Sequence, residues 1–462
     1  MMESNSKNVR DEKKRKTIGN CDDTQNSNGC SQPKKKKKKL EIFDETDYIL
    51  SDGLRHVIPY IYQYKTNAKK RWFGRKLLEV FTKEFGAHPP EYYIAAVKSG
   101  RIKVNGKAVD EDYQIKNGDH IIHTTHRHEP PVNGQHIEII ANTDSYLVVN
   151  KPPSMPMHPC GAYRYNSLFY ILNKEFPGGV ADYHLCYRLD RLTSGLAILA
   201  KSTELKAKFS ENLAQKSHKK TYLARVLGDF PSFAPERYKE DFASDKIDDK
   251  AKAKCWWRKE SLESNGVETI RVNCPVHCAN HKQGIWEVHE DGKEAVTLFK
   301  KLSFNGKTSL VEGTPLTGRT HQIRLHLQWL GHPIANDPNY GGELFYGELD
   351  RRQQYEESKK WMEEKGAIDA NRSQQNSSIK SKKEDGSNNS SEVLPSVPQQ
   401  EGESEEDFLK RTCRYCKHDK EKIFNENQLH ATNIWLHALR YKGDDWAFEA
   451  PPPEWASESF QM

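Results

Sequence analysis

The chain of 462 residues lacks any uninterrupted apolar run of the ~18 residues that a membrane-spanning helix requires, so no transmembrane segment and no membrane partner are expected. It also lacks a cysteine framework. Its nine cysteines are odd in number and scattered, which favours a reducing compartment over the disulfide-stabilised secreted class. Hydrophobic residues make up only 35% of the chain against 29% charged residues, and part of the chain is therefore expected to be disordered.

Net positive charge is absent from most of the chain. Residues 1–40 hold 12 Lys and Arg against 5 Asp and Glu, a net of +7, whereas the whole chain carries +6. Residues 41–462 therefore net to −1, and any surface that binds a polyanion must come from a local arrangement of cations. We expect residues 1–40 to be a disordered basic tail.

The tail carries two signals that bear on location. Pro33 followed by Lys34–Lys39 is typical of a nuclear-import signal or a loose nucleic-acid tether, with a solvated tail of no specific role as the alternative. No signal peptide is recognised, and Glu3, Asp11 and Glu12 argue against a mitochondrial presequence, because such segments are poor in acids. The sequence thus predicts a nuclear and/or cytoplasmic protein.

Residues 71–123 are predicted to form a compact unit of two helices and a hairpin. Apolar residues recur at helical spacing from Leu77 to Phe81 and from Tyr93 to Val97, and an Asn-Gly pair between Gly100 and Lys107 is typical of a tight hairpin turn. This order resembles the small S4-like RNA-binding module. The resemblance implies that cationic side chains meet backbone phosphates, namely Arg71, Arg75, Lys76, Arg101 and Lys103. A structural helical hairpin with a solvated basic face is the alternative.

From 136 to 455 the pattern predicts a mixed α+β domain with a large sheet. The predicted strands are Ile137–Ile140, Tyr146–Asn150, the run after Gly195, Thr221–Val226, Ala295–Phe299 and Ser309–Glu312. The predicted helices are Ser167–Phe176, Thr203–Gln215 and His321–Leu330. Two polar segments interrupt this pattern: residues 231–265 are expected to be irregular, and 350–410 to be a disordered or flexible insertion.

The segment from Tyr187 to Lys201 is the most informative of the chain. Asp190 lies between two arginines, just upstream of a Thr-Ser-Gly turn and the apolar run Leu196–Ala200. Acidic residues mostly lie on the surface unless they are paired. A carboxylate held beside fixed cations at the mouth of a core strand stays ionised, and it can act as a base or a nucleophile.

A second segment, Leu316 to Gly341, opens with a Gly-Arg-Thr turn that leads into a helix. His321, Arg324 and Leu325 fall at i, i+3 and i+4 and therefore share one face of that helix. From spacing alone, an ordinary amphipathic helix with exposed cations is equally compatible.

Five motifs in order resemble those of the RluA-type pseudouridine synthases. They are Lys151-Pro152 with His158-Pro159, Tyr187-Arg-Leu-Asp-Arg-Leu-Thr-Ser-Gly195, Lys220-Thr-Tyr222, Gly318-Arg-Thr-His-Gln-Ile-Arg324 and Leu436-His437-Ala438. One departure is Tyr187, which stands where histidine is commoner in the family. This change is expected to affect packing beside the site more than chemistry.

The resemblance implies a set of roles. Asp190 matches the catalytic acid, Tyr222 the tyrosine that packs against the target uracil, and Arg324 the basic residue that pairs with the aspartate. Arg188 matches the arginine that fills the helix stack when the uridine is extruded. Arg319, His321 and Lys220 are expected to bind substrate.

The implied reaction breaks the bond from ribose to the uracil nitrogen, turns the base and rejoins it through carbon five. Nothing is oxidised and no group is imported, so no cofactor is expected. One carboxylate suffices, by attack on sugar or base or by proton abstraction from the ribose, and the sequence leaves these routes open. The target must leave the helical stack to be reached.

Several readings of the sequence stay open. The expected partner is RNA, with tRNA favoured because 126–132 resembles the branch that modifies tRNA, and mRNA or rRNA as alternatives; a monomer is expected. A non-catalytic RNA-binding or RNA-folding protein on the same fold and a nucleoside hydrolase are rivals.

Cys413 and Cys416, with His418 and His430 nearby, are candidates for half of a zinc site. His126 and His128 are expected to be surface or hydrogen-bonded residues rather than ligands.

Overall fold

The structure is a computed structural model, and it describes residues 46–85, 90–215, 217–232, 234, 255–261, 268–280, 285–342, 402–413, 416 and 433–460. All of these belong to one unit, Phe43–Met462. The predicted basic tail with Lys34–Lys39 lies outside the described residues, as do His418, His430 and most of the 350–410 insertion.

The described chain contains short helices and many strands. The α-helices are α1 Leu77–Val80, α2 Pro90–Lys98, α3 Leu168–Glu175, α4 Thr203–Ala214, α5 Gln322–Trp329 and α6 Glu405–Thr412, with a π-helical turn at Phe81–Phe85 and 3-10 turns at Lys70–Trp72 and Glu454–Ala456. The strands are β1 Tyr48–Ser51, β2 Leu54–Val57, β3 Tyr60–Asn67, β4 Ile102–Val104, β5 Lys107–Ala108, β6 His120–Arg127, β7 Val132–Asn133, β8 Glu138–Asn142, β9 Tyr146–Lys151, β10 His184–Leu185, β11 Ser194–Ala200, β12 Lys219–Leu227, β13 Trp256–Ser261, β14 Glu268–Asn273, β15 Val276–Asn280, β16 Ile285–Val288, β17 Val296–Phe304, β18 Thr308–Pro315, β19 Leu436–Lys442 and β20 Ala447–Glu449.

Eleven of the described strands form one large sheet. Its order is β13-β14-β17-β18-β12-β19-β11-β9-β8, with β10 paired to β11 and β20 paired to β19. Every pairing in it is antiparallel except that of β11 with β19. The predicted mixed, mainly antiparallel sheet is confirmed. The six strands and three helices predicted in this part of the chain all form, with ends that differ by a few residues.

The parallel contact between β11 and β19 depends on a glycine. Gly195 has a φ of 107° and pairs with Ala438. A Cβ at position 195 would lie 2.3 Å from the Ala438 carbonyl oxygen and 2.7 Å from its nitrogen. Only glycine fits this approach of two backbones, and the approach fixes the chain that leaves the Asp190 loop.

Two apolar cores pack against the sheet. One joins α3 and α4 to β9 and β11, through residues such as Leu172 and Phe209. The other joins α5 to β12, β17 and β18, through residues such as Leu327 and Phe299. Tyr222 on β12 is partly buried and packs against both cores, so it stands at the boundary between the two halves of the sheet.

The two helices and the hairpin predicted near the N-terminus also form. The hairpin belongs to a four-stranded sheet of order β3-β6-β4-β5. Asn105 and Gly106 both have positive φ, as a tight two-residue hairpin turn requires. Strand β3 begins at Tyr60, so the sheet extends beyond the range 71–123. Its core contains side chains such as Trp72 and Tyr93.

Glu129, two residues after β6, connects this part of the structure to the segment that precedes α3. Its buried carboxylate accepts hydrogen bonds from the Tyr60 hydroxyl at 2.7 Å and from the backbone N–H groups of Arg164, Tyr165 and Asn166 at 2.8 to 3.0 Å. Four donors on one buried carboxylate make this junction specific in geometry.

Two expectations for polar segments need correction. Within 231–265, residues 256–261 form strand β13, whose Trp257 is buried in the core beside Ile270 and Phe299. Within 350–410, residues from Glu405 onward form α6, which begins at a Ser404 cap and buries Phe408. Buried aromatic side chains explain why both segments are ordered there.

In the part of the chain that the structure describes, we find no helix with the length and apolar character to cross a bilayer.

Candidate active site

Asp190 lies in the turn that connects β10 to β11. Its backbone carbonyl accepts a hydrogen bond from the Thr193 N–H at 3.2 Å, which closes the turn. Its side chain is 28% exposed, whereas the two neighbouring leucines, Leu189 and Leu192, are buried. The apolar residues therefore anchor the turn in the core and leave the carboxylate open to solvent.

A buried lysine supports this turn from beneath. Lys151, at the end of β9, is fully buried and donates hydrogen bonds to the carbonyl oxygens of Pro152, Met155 and Arg191 at 2.8, 3.0 and 3.2 Å. Burial, assisted by the neighbouring Arg191, lowers the pKa of Lys151 to about 7. Because Arg191 follows Asp190 directly, Lys151 holds the backbone of the Asp190 turn in place. Lys151 belongs to the first of the five motifs, Lys151-Pro152 with His158-Pro159, but the sequence indicates no role for its side chain.

Arg324 on α5 is 2% exposed and contacts two carboxylates. Its Nη1 lies 3.6 Å from Asp190 Oδ2, so the expected pairing forms, but as a long ion pair. Its Nε and Nη2 donate to the two oxygens of fully buried Asp337 at 2.6 and 2.9 Å. Burial lowers the pKa of Arg324, yet the Asp337 charge more than offsets this and holds that pKa above its usual value. Asp337 thus fixes the guanidinium, and one of its nitrogens faces Asp190.

His321 forms the other side of the Asp190 pocket. Its Nε2 lies 3.9 Å from Asp190 Oδ2, and its Nδ1 lies 2.6 Å from the Tyr340 hydroxyl. Its backbone has a φ of 55°, a left-handed conformation that a non-glycine residue adopts at a cost. Burial lowers the pKa of His321, although Asp190 opposes that effect. The strained cap of α5 therefore places a neutral imidazole beside the carboxylate.

Tyr222 lies on β12 where the strand's pairing with β19 is irregular. The register shifts between Thr221 and Tyr222, and such a bulge re-aims the side chain that follows it. Burial raises the pKa of the Tyr222 phenol, and the nearby Asp190 charge raises it further. The ring of Tyr222 therefore stays neutral and forms an aromatic surface beside Asp190.

These residues line an open cleft of about 1020 Å³. Its lining includes two carboxylates and seven basic side chains, namely Arg188, Arg191, Lys219, Lys220, Lys300, Arg319 and Arg324. Arg188 and Arg319 are exposed, and the Arg319 Nε also donates to the Glu294 carbonyl oxygen at 2.9 Å. The cleft is thus strongly basic, although residues 41–462 as a whole carry a net charge of −1.

The side chain of Lys220 is more enclosed than that of a lysine that only contacts a phosphate. Its Nζ lies 4.9 Å from the ring centre of Tyr187 and 5.3 Å from that of Tyr441. Burial lowers the pKa of Lys220 to about 8. Tyr187 stacks on Tyr441 at 5.0 Å and donates to the Leu196 carbonyl, so this tyrosine packs beside the site as the sequence led us to expect.

The predicted phosphate-binding cations near the N-terminus are placed differently from one another. Arg71 and Arg75 contact Glu84, and Lys76 contacts Asp112 at 2.6 Å. Arg71 and Lys76 are 61% and 58% exposed, and exposed ion pairs contribute little stability. These two cations can exchange a carboxylate for a phosphate at small cost.

Arg101 does not lie where the sequence placed it. It is buried over the ring of Tyr92, at 5.0 Å, and burial lowers its pKa. Lys103, two residues later on β4, is exposed. Lys103 is therefore available to a backbone phosphate, and Arg101 is not.

The structure brings Asp190, Tyr222 and Arg324 together and adds two residues that the sequence reading missed. Asp337 and Tyr340 lie in the segment that follows α5, which was noted as part of a distinctive run without a role for either residue. The only signal in the sequence was that the carboxylate of Asp337 follows the helix that carries Arg324. Only the fold shows that the two side chains meet.

Known proteins match most of this chain. Residues 145–329 match the family model described as RNA pseudouridylate synthase. Pseudouridylate synthase RPUSD2 of Mus musculus is 34% identical over 458 residues, which cover 91% of this chain and 75% of that protein. RNA pseudouridine synthase 7 of Oryza sativa subsp. japonica is 33% identical over 419 residues, 89% of this chain and 93% of that protein.

A third relative corrects the prediction of location. The mitochondrial tRNA pseudouridine(32) synthase of Saccharomyces cerevisiae is 31% identical over 448 residues, 91% of this chain and 81% of that protein. A mitochondrial relative of this extent contradicts the prediction of a nuclear and/or cytoplasmic protein. The prediction was wrong because it rested on three acids and a lysine run in a short polar segment, and such composition does not fix a compartment.

The match of most of the chain to pseudouridine synthases argues against the rival of a protein that only binds RNA. The chain belongs to the RluA-type RNA pseudouridine synthases and is an isomerase that converts uridine in RNA to pseudouridine.

Proposed function

We propose that this enzyme isomerises uridines in tRNA, with Asp190 as the reacting group. The observation that carries the proposal is the convergence of Asp190, Arg324 and Tyr222 in a cleft lined by seven basic side chains. The name of the yeast relative, a tRNA pseudouridine(32) synthase, supports the substrate class.

Asp190 suits this role because no short hydrogen bond occupies its carboxylate in the described contacts. Its two cationic or polar neighbours, Arg324 and His321, lie at 3.6 and 3.9 Å, which is beyond hydrogen-bond length. The carboxylate faces the Arg324 guanidinium and still has open lone pairs for the ribose or the base. Attack by it, or proton abstraction, breaks the bond from ribose to nitrogen. The uracil then rejoins through carbon five and loses the proton from that carbon, while nitrogen regains one, so atoms balance without a second reactant.

Tyr222 and Arg188 suit the handling of the base. The neutral ring of Tyr222 lies beside Asp190 and offers a stacking surface to an extruded uracil. Arg188 is exposed at the cleft, two residues before the acid, where a guanidinium can enter the gap that the uridine leaves. The remaining cations, among them Arg319, attract the phosphates on either side.

We further propose that the N-terminal unit is an S4-like RNA-binding module and that 136–455 is the catalytic domain, acting as a monomer. Exposed Arg71, Lys76 and Lys103 support a phosphate-binding face on this unit. The four hydrogen bonds to Glu129 support a fixed placement of the module beside the catalytic part, so that both contact one RNA.

The test uses unmodified tRNA and mRNA transcripts incubated with the full chain and mapped for pseudouridine by carbodiimide modification. The wild-type protein is expected to modify tRNA, and Asp190→Asn is expected to lose the signal while it binds the same RNA with unchanged affinity. Asp229→Asn, which alters an exposed ion pair, is the matched control and should retain activity. Signal only in mRNA would overturn the substrate class, and an active Asp190→Asn protein would overturn the role of the acid. Release of free uracil would point to hydrolysis instead.

A further inference from the structure

Four potential metal ligands from distant parts of the chain meet beside the N-terminal sheet. His126 lies near the end of β6 and His128 just after it, two residues apart, so their side chains share one face of the extended chain. Cys413 follows the last residue of α6, and Cys416 lies three residues further on. The ligand atoms of all four lie within 4.8 Å of one another.

Four of the six distances between the ligand atoms are short. His126 Nδ1 lies 3.1 Å from His128 Nε2 and 3.2 Å from Cys416 Sγ, and His128 Nε2 lies 3.4 Å from each of the two sulfurs. Zinc binds sulfur at about 2.3 Å and nitrogen at about 2.0 to 2.1 Å, so the edges of a tetrahedral Cys2His2 site measure roughly 3.3 to 3.8 Å. The observed edges lie close to that range, and a central cation fits between them.

Hydrogen bonds do not account for this arrangement. A ring nitrogen offers either one N–H or one lone pair, directed in the plane of the ring. His128 Nε2 nevertheless has three neighbours within 3.4 Å, namely Cys413, Cys416 and His126. One hydrogen bond explains at most one of these contacts. Convergence of all four groups on a shared centre explains every one.

We propose that His126, His128, Cys413 and Cys416 hold a structural zinc ion. The ligand set is closed, since four protein groups complete a tetrahedron and leave no position for a substrate, which is the mark of a structural rather than a catalytic site. Two thiolates balance the double positive charge, so the site is neutral. The spacing Cys-x-x-Cys is typical of such sites.

The site gives α6 a fixed attachment. It joins the end of α6 to β6, and His128 directly precedes Glu129, the residue whose carboxylate connects the N-terminal unit to the backbone of Arg164, Tyr165 and Asn166. The ion thus anchors both a returning chain segment and the junction between the two parts of the enzyme. The proposal thus gives a ligand role to His126 and His128, which the sequence led us to expect as surface or hydrogen-bonded residues.

The experiment measures metal in the full-length protein, purified with a tag that does not bind metals. We expect about one zinc per chain by mass spectrometry, loss of that zinc in Cys413→Ser/Cys416→Ser, and full retention in the matched control Cys255→Ser/Cys278→Ser. Cobalt(II) exchanged into the wild-type protein should show the visible bands of a tetrahedral ion and the near-ultraviolet absorption of cobalt–thiolate bonds. These bands should be missing in the double variant.

Two results would overturn the proposal. One is less than a tenth of an equivalent of zinc in wild-type protein after zinc is supplied during expression, and the other is unchanged zinc in Cys413→Ser/Cys416→Ser. If that variant does not fold, the zinc content and the cobalt spectrum of the wild-type protein decide the question by themselves, with a spectrum free of thiolate bands counting against it.

Discussion

The substitution Asp337→Asn tests how the site holds its charges. It leaves the shape of the side chain nearly unchanged and removes the charge that faces Arg324. Both partners are buried, at 2% and 0% exposure, and two hydrogen bonds of 2.6 and 2.9 Å join them. Breaking a buried ion pair from one side costs about 3 to 5 kcal/mol. Because the amide oxygen still accepts one hydrogen bond, we expect a loss of about 3 kcal/mol in the free energy of unfolding.

The same change should also slow the reaction. Without the negative charge at position 337, the Arg324 guanidinium is free to approach Asp190. The 3.6 Å ion pair then shortens to a hydrogen bond of about 2.8 Å. At an effective dielectric constant of about 20, that approach stabilises the resting pair by roughly 1.3 kcal/mol. The carboxylate then has to break this contact before it reacts, and a cost of this size lowers turnover about tenfold.

Urea denaturation measures the stability loss, and release of tritium from carbon five of labelled uridine in tRNA measures turnover. Asp229→Asn, at an exposed ion pair, should change stability by less than about 0.5 kcal/mol. The double variant Arg324→Met/Asp337→Leu should recover much of the stability without recovering activity. If Asp337→Asn unfolds within about 1 kcal/mol of the wild-type protein and turns over at the same rate, the buried pair does not organise the site.

Three further predictions follow from the structure. Gly195→Ala should destabilise the protein by at least about 2 kcal/mol, because the added methyl meets the carbonyl oxygen of β19 at 2.3 Å; Gly318→Ala, where a methyl meets nothing within 4 Å, should not, and equal denaturation midpoints would contradict this. Burial lowers the pKa of His326 to about 4, below the ~6.5 of an unfolded histidine, so its contribution to stability is present above pH 6.5 and is lost as the pH falls toward 4. Between pH 7.5 and pH 5, unfolding free energy should therefore fall by about 2 kcal/mol more in the wild-type protein than in His326→Gln, and parallel falls would refute the assignment. Lys103→Ala should lower the slope of log affinity for RNA against log salt by about 1, whereas buried Arg101→Met should leave it unchanged; filter binding across salt concentrations checks this, and an unchanged slope for Lys103→Ala would count against a phosphate contact.

The sequence predicted most of the large sheet because its strands are apolar runs with turn residues between them. The segment around Asp190 was recognised for the same reason, since a charged residue between arginines stands out beside the core run of β11. Strand β13 was missed because its Trp256 and Trp257 lie among charged residues and carry no alternation. Their burial depends on strands that come later in the chain.

The rest of the site depends on distances that no local pattern contains. Arg324 and Asp337 are 13 positions apart and separated by a helix end and a turn, so spacing alone gives no sign that they meet. Arg101 directly precedes β4 and Lys103 lies on it, with nearly the same composition around them. The fold alone decides that the first is buried over Tyr92 and the second is exposed.

The position of β19 has a consequence for how the enzyme is made. This strand begins 112 positions after Arg324, yet it lies in the middle of the sheet, between β11 and β12. A nascent chain on the ribosome therefore exposes two unpaired strand edges after all the residues that we propose for chemistry have been synthesised. The site assembles only when β19 arrives. Messages that end before residue 436 should yield chains that aggregate rather than enzymes with weakened activity, since open edges invite pairing between molecules.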